Sequence, residues 1–146
     1  MDLAELYRDV IVDHNRRPRN RRRLEAPTHR AEGDNPLCGD RLQLFLDVQD
    51  DVVRDLRFEG SGCAISTASA SLMSEAVRGR SRAEVRELFQ AVHRMLTGAG
   101  APEAKLGKLA ALAGVREFPA RVKCASLAWH TLNAALAGAA QPVTTE

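Results

Sequence analysis

Three cysteines and one aspartate carry the chemistry that residue type and spacing allow in this chain. Cys38 and Asp40 stand in Asn35-Pro36-Leu37-Cys38-Gly39-Asp40, a turn where Pro36 fixes the approach and Gly39 lets the backbone bend. Thiol and carboxylate can then point at one centre. Cys63 follows Gly60-Ser61-Gly62 and opens a helix, and Cys124 falls in the first turns of another, after Phe118-Pro119-Ala120-Arg121-Val122-Lys123. A thiol near a helix N-terminus feels the positive end of the macrodipole, which lowers its pKa and favours the thiolate that attacks sulfur and binds metal. Tetrahedral zinc accepts cysteine sulfur at about 2.3 Å and carboxylate oxygen at about 2.0–2.2 Å, so Cys38, Asp40, Cys63 and Cys124 form a chemically complete ligand set. The bland alternative is that each thiol packs as a small hydrophobe, as free cysteines often do. Three cysteines at the starts of elements favour a site, but only a fold can bring residues 38, 63 and 124 together.

The elements that must do this are legible in the hydrophobic spacing. Leu3, Leu6, Tyr7, Val10 and Ile11 predict a helix from Asp2, a fair N-cap, to about Asn15. Leu42, Leu44, Leu46 and Val48 alternate with Arg41, Gln43, Phe45 and Asp47, the pattern of a half-buried strand. Gln49-Asp50-Asp51 turns the chain, and residues 52–59 return with Val52, Leu56 and Phe58 on one face, although Arg54 breaks the alternation. Residues 28–32 fit a third, edge strand. After Gly62 the pattern is helical. One helix spans 63–78, with Ile65, Ala68, Leu72, Met73 and Ala76 inward, and Gly79 closes it. Ser81-Arg82-Ala83-Glu84 is a capping box for the next, with Val85, Leu88, Phe89, Val92 and Leu96 inward. A shorter helix over 103–113 ends at Gly114. Pro119 suits the first position of the last helix, along which Val122, Ala125, Trp129, Leu132 and Leu136 recur. Helix, strands, then helices predict an α+β fold: a small antiparallel sheet of about three strands packed against N- and C-terminal helices.

Composition narrows the function classes. The 146 residues are 45% hydrophobic and 27% charged, and 21 basic against 19 acidic residues leave a formal charge of +2. That is the profile of one globular domain, 1–146, with a loop over 15–30, a helical segment over 98–114 and a frayed tail over 139–146. Three cysteines, an odd number, argue against a disulfide framework. No apolar run approaches 18 residues and no secretory signal is visible, so the expectation is a cytoplasmic protein without a membrane partner. Seven arginines crowd positions 16–30. Clustered arginine is a nucleic-acid footprint, but no aromatic residues interleave with these, and Arg outnumbers Lys 18 to 3 throughout. No nucleic-acid partner is expected; docking to an acidic protein patch is the modest alternative. His14 and His29 flank this loop as ordinary surface histidines, His93 falls on the outer side of its helix, and His130 lies on roughly the opposite helix face from Cys124.

As a set, the motifs resemble the NifU/IscU-type iron–sulfur assembly family. They run in family order: residues 6–14 (Leu6-Tyr7-Arg8-Asp9 to His14), Pro18-Arg19-Asn20, Asn35 to Asp40, Phe58 to Ser66 and Ser69-Ala70-Ser71. The resemblance extends from residue 3 to about 137. Two features are similar to the SufU branch: the added helical segment around 98–114, and Lys123 before the third cysteine, where IscU scaffolds have a histidine. The resemblance implies a fold in which the three cysteines converge at one exposed end and bind zinc with the aspartate, here through Cys38, Asp40, Cys63 and Cys124. It implies a sulfurtransferase role, with Cys38 accepting persulfide sulfur from a SufS-type PLP-dependent cysteine desulfurase and downstream cluster scaffold proteins as further partners. Asp40 would keep a ligand labile, Arg121 and Lys123 would support the site or partner, and the chain would be a monomer. The rival is a scaffold on which the same ligands hold iron or a transient [2Fe–2S] cluster, since thiolates serve both. A purely structural zinc site is the third reading.

Overall fold

The alternation over residues 42–48 places its strand at the middle of a four-stranded sheet. The computed structural model describes residues 3–98, 100–138 and 141–144. Helix α1 (Leu3–Arg16) is followed by β1 (His29–Asn35), β2 (Asp40–Gln49) and β3 (Val52–Ser61), then by α2 (Ala64–Val77) and α3 (Arg82–Thr97). A 3₁₀ segment (Ala104–Glu117), α4 (Pro119–Leu136) and β4 (Val143–Thr144) complete the order. Asp2, expected to cap α1, lies outside the described residues, as do the side chains of Leu3 and Leu6.

β2 and β3 form the expected hairpin. Its two-residue turn puts Asp50 and Asp51 at φ of 52° and 63°, the backbone that matches strand twist in tight hairpins. The register shifts between Asp47 and Val48, so Leu46 pairs with Leu56 but Val48 pairs with Val53. That irregularity accounts for Arg54: the inward residues are Val53, Leu56 and Phe58, with Val53 rather than Val52 in the core. Phe45, expected on the polar face, is also buried. The guanidinium groups of Arg23 and Arg30 cover its ring at 5.3 and 5.6 Å from the centroid, a cation–π lid drawn from the arginine-rich loop.

The third strand is not an edge. β1 pairs antiparallel with β2, and its other side takes β4, parallel, through Gly33–Val143 and Asp34–Thr144. The sheet order is β3-β2-β1-β4, one strand more than the spacing suggested, and residues 143–144 of the expected frayed tail supply it.

Helices α2 and α4 cover the inner face of the sheet. α2 buries Ser66, Ser69, Ser71 and Ser74 as well as its apolar residues, and each of these hydroxyls or its backbone finds a partner within the fold. Ser69 Oγ donates to Ala125 O at 2.6 Å, which pins α2 against α4. The capping box at Ser81 is present as expected. The segment after Pro102 differs. It is a 3₁₀ run interrupted at Gly107, whose combination of φ 54° and ψ −127° no L-residue adopts cheaply, and it continues past Gly114 to Glu117. Gly114 does not end it; that glycine lets the segment lie against the Tyr7 ring.

Several arginines of the arginine-rich loop bond within the molecule, although all but Arg19 are exposed. Arg19 pairs with Asp13 at 2.7 Å, Arg21 donates to Gly60 O and Arg23 reaches Glu59 at 3.7 Å. His14 is correspondingly no surface histidine. It is buried, with Nδ1 2.7 Å from Ser71 Oγ, which also accepts from Arg19 N–H at 2.8 Å. Ser71 Oγ can donate to a bare Nδ1 or accept from a protonated one, and Nε2 lies 3.6 Å from Glu75 Oε1. The helical pattern of α1 held this signal: position 14 follows Tyr7, Val10 and Ile11 on the inward face.

Candidate metal centre

The turn Pro36–Gly39 brings β1 back as β2, so Asn35 and Asp40 face each other as a pair of the ladder. Gly39, at φ of 71°, permits the tight return. Cys38 sits at the tip, half-buried, beside Leu37, which is 69% exposed. Asp40 and Asn35 are fully buried. From the far side, α4 delivers Cys124 with its Sγ 3.2 Å from Cys38 Sγ. One ligand atom from each of Cys38, Asp40 and Cys124 lies within 4.8 Å of the others, a group able to hold a metal ion.

Cys63 stands at the margin of this group. Its backbone N–H donates to Asp40 Oδ1 at 2.8 Å, but its Sγ caps α2, accepting from Ser66 N–H at 3.5 Å. The helix-start position expected from the sequence is found here, at the cap itself. At Cys124 it is not. That residue lies in the second turn of α4, where the dipole has faded, and burial pushes its thiol well up. Hydrogen bonding with Cys38 and Asp40 and the nearby charge of Cys63 act in the same direction. Two thiols and a carboxylate packed this closely repel each other once ionised. The natural answers are retained protons or a cation, and a soft divalent ion suits the donor set.

The remaining expected residues divide. The exposed Arg121 guanidinium lies against Cys63 and Cys124, and the Cys63 charge, followed by hydrogen bonding to Cys124, raises its pKa. Lys123 is half-buried, and its described contact is the backbone carbonyl that accepts from Ser126 Oγ at 3.3 Å. Two residues were not foreseen. Tyr7 of α1 sits close enough to Arg121 and Cys63 to feel both, although burial is what chiefly raises its phenol. Asn35 donates through Nδ2 to Asp40 Oδ2 at 3.2 Å and to Cys124 Sγ at 3.4 Å. Its place five residues before an aspartate is a weak signal, since asparagine before proline is common in any turn.

A sheet capped by helices, with thiols and one acid gathered at a turn, defines an α+β protein built around a sulfur-rich centre. The chain belongs to the family of NifU-like N-terminal domains, whose pattern it matches over residues 6–137. It is 40% identical over 137 residues to the zinc-dependent sulfurtransferase SufU of Bacillus subtilis, covering 93% of this chain and 92% of that one. It is equally, 40%, identical over 142 residues to the iron–sulfur cluster assembly scaffold protein IscU of Thermotoga maritima, covering 97% and 100%. A crystal structure from Fervidobacterium islandicum, described as an iron–sulfur cluster assembly scaffold protein for the SUF system, superposes with a TM-score of 0.84. It shares 34% identity, with 90% of this chain and 97% of that one covered. The chain is thus an iron–sulfur cluster assembly protein of the SufU/IscU/NifU type. Among the described residues, no helix is long and apolar enough to cross a membrane.

Proposed function

We propose that this protein is a zinc-dependent sulfurtransferase of the bacterial cytoplasm that takes persulfide sulfur from a PLP-dependent cysteine desulfurase onto Cys38. The carrying observation is the asymmetry of the two close thiols: Cys38 is half-buried at a turn tip beside exposed Leu37, whereas Cys124 is sealed in the core. Only the first can meet a partner's persulfide without unfolding α4. Cys38, Asp40 and Cys124 would hold the zinc, with Cys63 turning from its capping position to complete the four. Zinc bound there would keep the thiols deprotonated at neutral pH and shield them from oxidation.

The chain's own residues then perform the transfer. The Cys38 thiolate attacks the outer sulfur of the partner's Cys–S–SH, a new S–S bond forms on Cys38, and the old one breaks. The partner's cysteine leaves as thiolate, so no oxidant or reductant is consumed. Arg121, beside Cys63 and Cys124, supplies positive charge where sulfur anions gather. The 40% identity to the Bacillus subtilis sulfurtransferase and Lys123 in place of a ligand histidine support this role.

The equal identity to the Thermotoga maritima scaffold favours a second reading, in which the same donors hold a [2Fe–2S] cluster as cargo. Anaerobic purification separates the two: one equivalent of colourless zinc supports transfer, and visible charge-transfer absorption with iron and sulfide supports the scaffold. The direct test is mass spectrometry after incubation with a SufS-type desulfurase and cysteine. A gain of one sulfur on Cys38, lost in Cys38→Ala, is expected. Sulfur on neither Cys38 nor any other residue overturns the transfer reading.

A further inference from the structure

The site contains one buried polar residue that is neither ligand nor nucleophile. Asn35 is completely buried, and its single Nδ2 group donates two hydrogen bonds, to Asp40 Oδ2 at 3.2 Å and to Cys124 Sγ at 3.4 Å. The amide orientation is forced, because reversing it would aim a carbonyl at two acceptors. The other end of the amide is informative. Asn35 Oδ1 is buried with no hydrogen-bond partner among the described residues, which costs desolvation without a bond in return. Both N–H groups are used and the carbonyl is not, so the side chain is placed by its donors. β1 gives this fork its aim: Asn35 is the last residue of the strand, paired directly with Asp40 across the ladder.

We propose that Asn35 is the positioning residue of the metal centre, its forked amide holding the Asp40 carboxylate and the Cys124 sulfur in the arrangement a metal requires. The inference rests on the zinc-holding reading above. The two N–H groups of the fork meet one oxygen of Asp40 and the sulfur of Cys124 from the same side chain. It also leaves Cys38 outside its grip. The carboxylate and the buried sulfur are anchored, and the surface thiol is the donor free to leave and react.

The test compares wild type with Asn35→Leu, which has nearly the same shape but no donors, and Asn35→Ser, which can reach at most one acceptor. Zinc affinity is read by competition with a chromogenic chelator. Cobalt(II) absorption reads thiolate ligation and geometry, and circular dichroism reads the fold. The expectation is a 10–100-fold loss of zinc affinity in Asn35→Leu, the range seen when outer partners of metal ligands are removed, with a smaller loss in Asn35→Ser. The cobalt thiolate band should shift or weaken, and the zinc-loaded melting temperature should fall more than the metal-free one. Unchanged affinity and cobalt spectrum in Asn35→Leu overturn the proposal while leaving the zinc reading intact. So do equal falls in the loaded and metal-free melting temperatures, which mark a merely structural role. If Asn35→Leu does not fold, unchanged affinity in Asn35→Ser has the same force. Wild type that takes up neither zinc nor cobalt overturns the zinc-holding reading and this inference with it.

Discussion

The two closest sulfurs differ in accessibility far more than in position. Cys38 and Cys124 are 3.2 Å apart, yet one lies at a turn tip and the other under α4. Substituting either should therefore remove metal binding but by separable routes. In Cys38→Ser, desulfurase stimulation should vanish while the melting temperature of the metal-free protein changes little, because the side chain borders solvent. In Cys124→Ser, a fully buried hydroxyl replaces a buried thiol. Melting of the metal-free protein should drop by about 1–3 kcal/mol of stability, measured by urea unfolding. Similar metal-free stabilities in both variants would contradict the burial difference. Cys38, Asp40 and Cys124, which the fold brings together, were legible as candidates from residue type, because thiolate and carboxylate are anionic donors. Asn35 was not, because an amide advertises no chemistry until its neighbours are known.

Elements hold these residues through backbone approaches that leave no slack. Gly62 follows β3 and leads to Cys63, and a Cβ there would collide with Asp40 Oδ1, the same oxygen that accepts the Cys63 N–H. Gly62→Ala should displace the carboxylate and weaken zinc binding by about tenfold or more in a chelator competition, with far-UV dichroism retained. Wild-type affinity in that variant would show that Asp40 has room to move. The second fastening is Ser71, which ties α1, the arginine-rich loop and α2 together through His14 and Arg19. Ser71→Ala leaves the Arg19 N–H and His14 Nδ1 without their partner, so a loss of about 1–3 kcal/mol is expected in urea unfolding. Hydrogen exchange should accelerate at residues 14–20 before anywhere else.

For the whole molecule, one buried histidine, His14, and one half-buried, His130, set the acid limit. Burial lowers the pKa of His14, with the Arg19 charge acting in the same direction, and burial followed by the His93 charge lowers that of His130. The unfolded chain thus binds protons that the folded chain refuses. Stability is whole above the ordinary histidine pKa of about 6.5 and declines as pH falls from there through the depressed native values. Thermal melting of the metal-free protein should therefore fall between pH 7 and 5, and His14→Gln should flatten that slope in part, leaving the His130 contribution. A slope identical in wild type and His14→Gln would exclude His14 from the acid response. The Phe89, His93 and His130 rings pack together at centroid distances of 5.5–6.5 Å, so the His130 contribution belongs to the α3–α4 contact.

Local pattern determined most of the architecture. The 3.6-residue repeats located α1 to α4, the alternation located the hairpin, and the Ser81 box and Pro119 marked two helix starts. These depend on neighbours in the chain, where propensity and capping act directly. What only tertiary structure decided depends on residues far apart in number. A two-residue strand at 143–144 has too few residues for any periodicity, and it exists because β1 offers an unpaired edge. Phe45 is core rather than surface because arginines 15 and 22 positions earlier fold over it. His14 is buried because Ser71 meets it from α2. The distance between Cys38, Asp40 and Cys124, and the amide of Asn35 between two of them, were decided by β1 turning into β2 beneath α4. Chain connectivity cannot encode that proximity locally, since it arises only when the sheet and the last helix bury their apolar faces against each other.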